Sequence, residues 1–398
     1  MTAPTQVPVF KPLIEQEEIA AAVKALELGW LGMGSFVNEL EQKLAGYLGL
    51  KEAGKHLALV NTGHSALHLA LVVAECGPGD EVIVPSFCCV SDFQAILQVG
   101  AEPVLCDSLD ESITIDVDSA EALVTPRTKA VIAMDYGSQL CEHDRVAAFA
   151  KKHKLRVIHD GAHTFGSRYK GKMVGSFSDM TMLSFDPVKT MTCLDGGALI
   201  VSSEKELHRI HELRILGMGQ PPSVMYQNKR AWTFHVNDIG FRYHMINMHA
   251  AIGLQQLAKM DRISATRRAA YRFYLDNLSG IRGLRIPAVD LDNVTPFIFY
   301  VRVAAEQRDA FRTHLGECGV DTGVHWQPGH HFKVLDGCRR GDLSVAHKAG
   351  NEIVTLPLHS NMSREYQQQV IDAVRGYFAG AKKKSGGGKS ALQQSRVA

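Results

Sequence analysis

Short apolar runs alternate with helical patterns over the central part of the chain. The runs are HLALV (56–60), EVIVP (81–85), PVLCD (103–107), KAVIAMD (129–135), RVIHD (156–160), MTMLSF (180–185) and GALIVSS (197–203). Several of them are continuously apolar, which is typical of strands buried on both faces of a sheet. The alternation of strand and helix predicts an α/β fold whose large domain has a mostly parallel central sheet flanked by helices.

The flanking segments predict three further units. Helical spacing over 14–28 ends before Gly29, which predicts an N-terminal arm and helix over 1–30, ahead of a large domain over 31–260. In residues 261–380 the apolar runs FIFYVRV (297–303), VHWQP (324–328) and EIVTLPL (352–358) alternate with helical segments, which predicts a smaller C-terminal α+β domain. The last helix of that domain is predicted to end near Phe378. Residues 381–398 are rich in Lys, Gly and Ser and predict a disordered tail.

Charge and composition exclude several classes of partner. The chain has 43 basic and 42 acidic residues, a net charge of +1, so no global field attracts nucleic acid or an anionic membrane. No window approaches the roughly 20 apolar residues of a membrane span, and the N-terminal segment lacks a signal-peptide pattern. We therefore expect a cytoplasmic protein without nucleic-acid or membrane partners. The 8 cysteines form no CxxC pair, which predicts reduced structural thiols.

Polar and small residues stand where the predicted strands end. Ligands of parallel sheets gather at the carboxyl ends of the strands, so these residues are expected to share one cleft. They are Gly63, Phe87, Asp107, Asp135, Asp160 and Ser184. Lys189 follows the strand that ends near Ser184. A carboxylate at one strand end and a lysine just past a later one is the arrangement that a pyridoxal phosphate enzyme needs, for the cofactor's ring nitrogen and its aldehyde.

The turn from the first strand into its helix reads NTGHSA (61–66). A glycine-containing turn at a helix N-terminus can direct backbone N–H groups at a phosphate. Such turns are common, so the turn by itself is weak support for a phosphate site. Its position upstream of Asp160, Ser184 and Lys189 along one α/β chain strengthens the prediction.

Motifs in this order resemble those of the DegT/DnrJ/EryC1/StrS family of fold type I pyridoxal phosphate aminotransferases. The resemblance runs from about residue 13 to residue 377. It rests on GHSAL (63–67), PSF (85–87), DGAH (160–163), GSF (175–177), SF (184–185) with Lys189, GG (196–197), GFRY (240–243), AAIG (250–253) and QL (256–257).

The resemblance implies roles for particular residues. Lys189 would be the Schiff-base lysine and proton carrier, Asp160 the partner of the pyridine nitrogen, and His163 a neighbour of the cofactor's 3-hydroxyl. The cofactor's phosphate would be held by Gly63, His64, Ser65 and Ser184.

Three positions depart from the family's pattern. His64 stands where the family usually has a threonine, and Cys89 stands where its ring-stacking aromatic commonly lies. Either Phe87 or Cys89 would therefore contact the cofactor ring. Arg242 stands where an asparagine of the neighbouring subunit often reaches the phosphate, and its guanidinium could bind a phosphate or the donor's carboxylate.

The activity implied by the resemblance is transfer of an amino group from an amino acid, glutamate or glutamine, to a keto sugar, often nucleotide-linked, or to a keto-cyclitol. A homodimer with its sites at the interface is implied as well. One alternative is the family's keto-sugar dehydratase branch, in which a histidine replaces the lysine, so Lys189 argues against it. Another is a non-catalytic regulatory homologue.

The acceptor is expected to contact the segments 29–35, 218–237 and 323–332. The last of these carries residues that are eligible to bind a sugar or to be ordinary loop residues, namely His325, Trp326, His330 and His331.

Overall fold

A computed structural model describes residues 6–386 of the chain. Its strands are β1 (His56–Val60), β2 (Glu81–Pro85), β3 (Glu102–Cys106), β4 (Thr128–Met134), β5 (Arg156–Asp160), β6 (Arg168–Tyr169), β7 (Lys172–Met173), β8 (Met180–Ser184), β9 (Gly197–Val201), β10 (Met218–Gly219), β11 (His235–Val236), β12 (Phe299–Arg302) and β13 (Ile353–Leu356). Its α-helices are α1 (Gln16–Glu27), α2 (Ser35–Tyr47), α3 (Gly63–Val73), α4 (Val90–Gln98), α5 (Val117–Glu121), α6 (His143–His153), α7 (Glu204–Leu213), α8 (Pro222–Tyr226), α9 (Asn247–Ala258), α10 (Met260–Leu278), α11 (Arg308–Glu317), α12 (Ser344–Glu352) and α13 (Arg364–Gly386).

The seven apolar runs form one central sheet in the order β1-β9-β8-β5-β4-β2-β3. The pairs along β8-β5-β4-β2-β3 are parallel, and β9 runs antiparallel to both of its neighbours. The mostly parallel sheet predicted from the sequence is therefore confirmed. Its parallel strands end at one edge, and that edge positions the candidate site.

Helices cover both faces of the sheet, which explains the continuous apolar runs. In β1, Ala58 and Val60 face a core shared with α3, α4 and α7, whereas Leu57 and Leu59 face a core shared with α2 and α9. Every residue of β2, β8 and β9 is buried. Because each strand buries both of its faces, the sheet edge is held rigidly.

The smaller C-terminal domain is built around the antiparallel pair β12 and β13. Helices α10, α11 and α13 pack against this pair in a separate apolar core. The first described residues also pair with this domain, since the backbone N–H of Val7 donates to Gly319 O at 2.8 Å and that of Asp321 donates to Val7 O at 3.0 Å. The start of the predicted N-terminal arm is thus attached to the small domain, while α1 packs on α9 of the large domain.

Two sequence predictions about the last third are wrong. Residues 324–328 form no strand. The segment leaves the small domain, where Gly323 pairs with Thr355, and reaches the large domain, where the backbone N–H of Gly329 donates to Ser86 O. Between these points its backbone bonds to a side chain, since the Tyr136 hydroxyl donates to His325 O. Helix α13 extends to Gly386, past the predicted end near Phe378, so 381–386 are helical rather than disordered. The run AKKK (381–384) consists of good helix formers, which favours the extension. The rest of the predicted tail, 387–398, lies outside the described residues.

Within residues 6–386, none of the helices combines the length and the apolar character that crossing a bilayer requires.

Gly197, the first residue of β9, makes the tightest backbone contact between the sheet and α3. A Cβ atom at this position would lie 2.3 Å from Thr62 O and 2.8 Å from Gly63 N. We expect Gly197→Ala to lower the free energy of unfolding by about 1–3 kcal/mol, because backbone on both sides would have to move. Chemical denaturation measures this change.

Gly46→Ala is the matched control, since a Cβ at this position in α2 meets nothing within 4 Å. It should be neutral or raise the free energy of unfolding by about 0.5–1 kcal/mol. Equal effects of the two substitutions would contradict the proposed contact.

Candidate active site

Three predicted site residues come together where β5 and β8 end. Asp160 is the last residue of β5, Ser184 is the last residue of β8, and Lys189 lies in the turn that follows. Asp160 and Ser184 are buried, and Lys189 is half-buried. The parallel pairing of β5 with β8 brings these positions to the same sheet edge, as the strand-end rule predicts.

The N-terminus of α3 closes against Ser184. Thr62 caps this helix, because its hydroxyl accepts from the backbone N–H of Ser65 at 2.9 Å. A Cβ on Gly63 would lie 2.7 Å from the Cβ of Ser184 and 2.9 Å from its Oγ. The glycine therefore allows the first backbone N–H groups of α3 to lie beside a serine hydroxyl, an arrangement suited to an anion.

The side chains of His64 and Ser65 are already engaged by the protein. His64 Nδ1 lies 2.8 Å from Ser91 Oγ, and its Nε2 lies 2.9 Å from Gln98 Oε1, both on α4. The Ser65 hydroxyl donates to Asn61 Oδ1 at 2.7 Å. His64 would therefore meet a phosphate through its backbone N–H rather than through its side chain, whereas Ser65 has both its hydroxyl and its backbone N–H engaged within the turn.

Asp160 is held in place by the turn that follows it. Its Oδ1 accepts from the backbone N–H of Ala162 at 2.9 Å. Burial raises the pKa of Asp160 to about 6, while the Ala162 hydrogen bond and the charge of Lys189 act in the opposite direction. A cationic N–H beside this carboxyl would stabilise its charged form.

Lys189 lies over an aromatic ring of the small domain. Its Nζ is 4.7 Å from the ring centroid of Phe297. Burial lowers the pKa of Lys189, although the neighbouring Cys89 and Asp160 favour the charged form. The backbone of Phe297 is fixed by the buried guanidinium of Arg267, whose Nη1 donates to Phe297 O at 3.0 Å.

His163 is a buried, neutral hydrogen-bond donor. The backbone N–H of Gly137 donates to its Nδ1 at 3.0 Å, which leaves the ring proton on Nε2. Burial and the charge of Lys189 hold the pKa of His163 well below its usual value. Among the described residues its Nε2 has no partner. The ring is stacked against Trp326, with centroids 4.9 Å apart and planes at 21°.

The two candidates for the ring contact differ in their surroundings. Phe87 is 1% exposed and packs edge-on against Tyr136, with centroids 5.3 Å apart. Cys89 is half-buried at the start of α4. Burial and the negative charge of Asp92 raise the pKa of the Cys89 thiol to about 12, while the positive charge of Lys189 opposes this shift.

Arg242 is exposed and lies beside the α3 turn, where Asn61 Nδ2 is 3.5 Å from its carbonyl oxygen. Its side chain lines a cavity of about 530 Å³. Most of the cavity wall comes from two of the segments expected to contact an acceptor, with Trp30, Met33, Met218, Arg230, Trp232 and Phe234 among its residues. Ile215, Arg242 and His244 line the cavity from outside those segments.

Two strand-end carboxylates predicted to share the cleft serve the scaffold instead. Asp107 accepts from the backbone N–H groups of Val345 and Ala346, at 3.0 and 2.8 Å, and so caps α12. Asp135 accepts from the Thr164 hydroxyl at 2.7 Å. Its carboxyl oxygens also lie 2.9 Å from Nε2 of His143 and 2.7 Å from Nε2 of His159. The tendency of ligands to gather at the carboxyl ends of parallel strands predicts where these two residues lie, but it does not predict which way their side chains point.

Sequence reasoning missed Phe297, Arg267 and Asp92. Asp92 is fully buried on α4, and among the described residues its carboxyl oxygens interact with Cys88 and Asp160 without a hydrogen bond of normal geometry. Burial and the nearby charge of Asp160 raise its pKa well above the usual value. The spacing contains a signal for it, since Asp92 precedes the buried Ile96 by one helical turn and so lies on the apolar face of α4. No pattern in the sequence around Phe297 or Arg267 indicates that either residue belongs to the site.

The donor set fits pyridoxal phosphate. The α3 N-terminus and Ser184 offer an anion site, and Asp160 offers a carboxyl for a basic ring nitrogen. Lys189 supplies an amine for the aldehyde, and His163 has a buried N–H without a partner. Buried polar groups are rarely left unpaired, so the free Nε2 of His163 indicates that a ligand atom belongs beside it.

The chain matches known proteins over nearly its whole length. The sequence profile described as the DegT/DnrJ/EryC1/StrS aminotransferase family matches residues 12–375. The spore coat polysaccharide biosynthesis protein SpsC of Bacillus subtilis (strain 168) is 34% identical over 94% of this chain and 97% of that protein. The GDP-perosamine synthase of Caulobacter vibrioides is 32% identical over 93% of this chain and 97% of that protein.

The fold also matches solved structures. Spr1654 of Streptococcus pneumoniae in its PMP-form superposes with a TM-score of 0.87 at 25% identity, covering 96% of this chain and 100% of that one. The same protein has been solved in a PLP-form, which matches with a TM-score of 0.86. These matches confirm the predicted fold type I architecture.

The pair of buried carboxyls predicts a pH-dependent stability. The pKa values of Asp160 and Asp92 are higher in the folded protein than in the unfolded chain. Their contribution to the free energy of unfolding is therefore complete below about pH 4 and is lost as the pH rises through their pKa values in the folded protein. Asp92→Asn removes one ionisation and relieves Asp160. We expect the cofactor-free variant to melt about 2–4 °C above the wild type at pH 8, with little difference at pH 4.

Differential scanning calorimetry between pH 4 and pH 8 measures this difference. Asp276→Asn, an exposed position on α10, is the control and should leave the pH profile unchanged. If the Asp92→Asn protein lost stability with pH as steeply as the wild type, the assigned carboxyl interaction would be wrong.

Proposed function

The chain belongs to the DegT/DnrJ/EryC1/StrS aminotransferase family, and on that basis we propose that it transfers an amino group from glutamate or glutamine to a nucleotide-linked keto sugar. It is a pyridoxal phosphate-dependent enzyme, as its family is. The observation that carries the proposal is the grouping of Lys189, Asp160 and His163, whose Nε2 has no partner among the described residues, at the sheet edge beside the α3 N-terminus.

Each of these residues fits one part of the cofactor. The backbone N–H groups of Gly63 and His64, with the Ser184 hydroxyl, would bind its phosphate. Asp160 would hold the proton on the pyridine nitrogen. When bound, pyridoxal phosphate supplies an electron sink that stabilises negative charge on the substrate carbon.

His163 and Lys189 have protonation states suited to their tasks. The neutral His163 would donate its Nε2–H to the cofactor's 3-oxygen. Burial lowers the pKa of Lys189, so a larger fraction of its amine is neutral and able to accept a proton near pH 7. Lys189 would carry that proton between the substrate carbon and the cofactor.

We assign the contact with the cofactor ring to Cys89. Phe87 is packed edge-on into the core by Tyr136, whereas Cys89 is half-buried at the start of α4. A thiol is small and polarisable and can pack on a ring face.

The cavity beside Arg242 supports a nucleotide-linked acceptor. Its aromatic residues Trp30 and Trp232 can stack on a base, and the guanidinium of Arg230 lies 5.6 Å over the Trp30 ring. Arg230 and Arg242 can pair with a diphosphate. The similarity to a GDP-perosamine synthase, whose name includes the nucleotide GDP, also favours a nucleotide-linked acceptor. A free keto-cyclitol would leave these groups unused.

The half-reactions test this function directly. Lys189→Ala should lose the visible absorption of the lysine-bound cofactor and at least about 10³-fold in turnover with glutamate. Lys205→Ala, an exposed residue on α7, is the matched control and should keep both. The pyridoxamine phosphate form of the wild type, mixed with GDP-, UDP- and TDP-linked keto sugars and with a keto-cyclitol, should return to its original spectrum with a nucleotide-linked sugar.

Other outcomes identify the alternatives. A sugar product that has lost a hydroxyl without gaining an amine would identify a dehydratase. No spectral change with any amino donor would favour a regulatory protein. A response to the free cyclitol alone would contradict the nucleotide assignment.

Exposed apolar side chains in the segment between α7 and α9 support a homodimer. Trp232 is 86% exposed, Ile239 is 84% exposed and Val236 is 58% exposed, more than a surface segment usually shows together. The same segment lines the cavity beside Arg242, so a second subunit that covers it would complete a site at the interface.

We expect the double substitution Trp232→Asp and Ile239→Asp to shift the protein from dimer to monomer in light scattering and to weaken acceptor binding. Val334→Asp, which replaces a side chain 55% exposed on the small domain, is the control and should remain dimeric. A monomeric wild type, or a dimeric double variant, would contradict the assignment of this surface.

A further inference from the structure

Three histidines from two segments meet beside the candidate active site. His330 and His331 lie in the short turn Gly329–His331, and His347 lies on α12. His330 Nε2 is 3.5 Å from His347 Nδ1, and His331 Nε2 is 3.2 Å from the same atom. One ligand atom of each ring lies within 4.8 Å of the others, and His331 and His347 are exposed.

The two separations that involve His347 Nδ1 match those of a shared metal ion. Zinc binds imidazole nitrogen at about 2.0–2.1 Å in tetrahedral geometry, which places two ligand nitrogens about 3.3–3.4 Å apart. The observed distances of 3.2 and 3.5 Å lie on either side of that value.

Hydrogen bonds alone leave the arrangement incomplete. The Nδ1 of His347 has a single lone pair in the ring plane, so it can accept from only one of the two nitrogens that face it. A cation at the centre would satisfy all three lone pairs together.

The surroundings orient the rings for this purpose. The buried Ser86, just after β2, places its Oγ 2.8 Å from Nδ1 of His330, which leaves Nε2 free to face the other rings. The Asn351 amide lies against the outer nitrogen of His347, with Nδ2 at 3.2 Å from Nε2. With this amide turned over, Asn351 Oδ1 would accept the Nε2 proton and leave the lone pair of Nδ1 facing inward. Such bonds to the outer ring nitrogen are the usual support of metal-bound histidines. Asp107 caps α12 and so fixes the helix that carries His347.

We propose that His330 Nε2, His331 Nε2 and His347 Nδ1 bind one divalent transition-metal ion of the zinc class, with a fourth position open to solvent. Imidazole sets favour zinc, copper and nickel over magnesium or calcium. The ion would join the Gly329–His331 turn to α12. That turn continues from Trp326, which stacks on His163, so the metal would stiffen one wall of the cofactor pocket.

Metal titration of the cofactor-loaded enzyme tests this site. Isothermal calorimetry with Zn²⁺ should show one ion per chain, and Co²⁺ should give the intense visible bands of a tetrahedral site. His347→Ala should weaken Zn²⁺ binding at least about 100-fold, and Ser86→Ala about 10-fold, because the serine only orients His330. Saturating Zn²⁺ should raise the melting temperature of the wild type but not that of His347→Ala.

The controls keep the proposal open to refutation. His208→Ala, on α7, should bind Zn²⁺ as the wild type does. Circular dichroism and cofactor absorption show whether His347→Ala is folded, and His331→Gln provides a second exposed variant. Stoichiometric binding that survives in both variants would overturn the proposal, as would a wild type that binds no more tightly than they do.

Discussion

The site depends on the close approach of the α3 N-terminus to the ends of β8 and β9. A side chain on Gly63 would meet Ser184, and one on Gly197 would meet the backbone of Thr62. Glycine at both positions allows the unpaired N–H groups of the helix to lie beside the sheet edge, where they can bind an anion. The strands that carry Asp160 and Ser184 are buried on both faces, so this edge is rigid enough to fix their relative positions.

Burial controls the electrostatics of the pocket. It raises the pKa values of Asp160 and Asp92, lowers that of Lys189, and keeps His163 neutral. Each of these shifts disfavours a charge that lacks a full set of partners. A cofactor with a cationic ring nitrogen and a neighbouring 3-oxygen would give Asp160 and the Nε2–H of His163 the partners that they lack.

The small domain supplies the remaining wall of the pocket. Phe297 lies under Lys189, and its backbone is held by the buried Arg267 on α10. Trp326 stacks on His163 from a segment that continues into the His330 turn, and Ser86 anchors that turn to the sheet. The junction between the domains thus determines the shape of the site. Substitutions at this junction would alter the cofactor's surroundings even where the substituted residue does not contact the cofactor.

The sequence by itself determined the seven strands, the mostly parallel sheet and the placement of Asp160 and Ser184 at strand ends, because hydrophobic periodicity and motif order are local properties. Only the tertiary structure decided which strand-end carboxylates face the pocket. It turned Asp107 toward α12 and Asp135 toward two buried histidines. It also brought in Phe297, more than a hundred residues after Lys189. Such contacts depend on how separate elements pack against each other, and no local pattern along the chain encodes them.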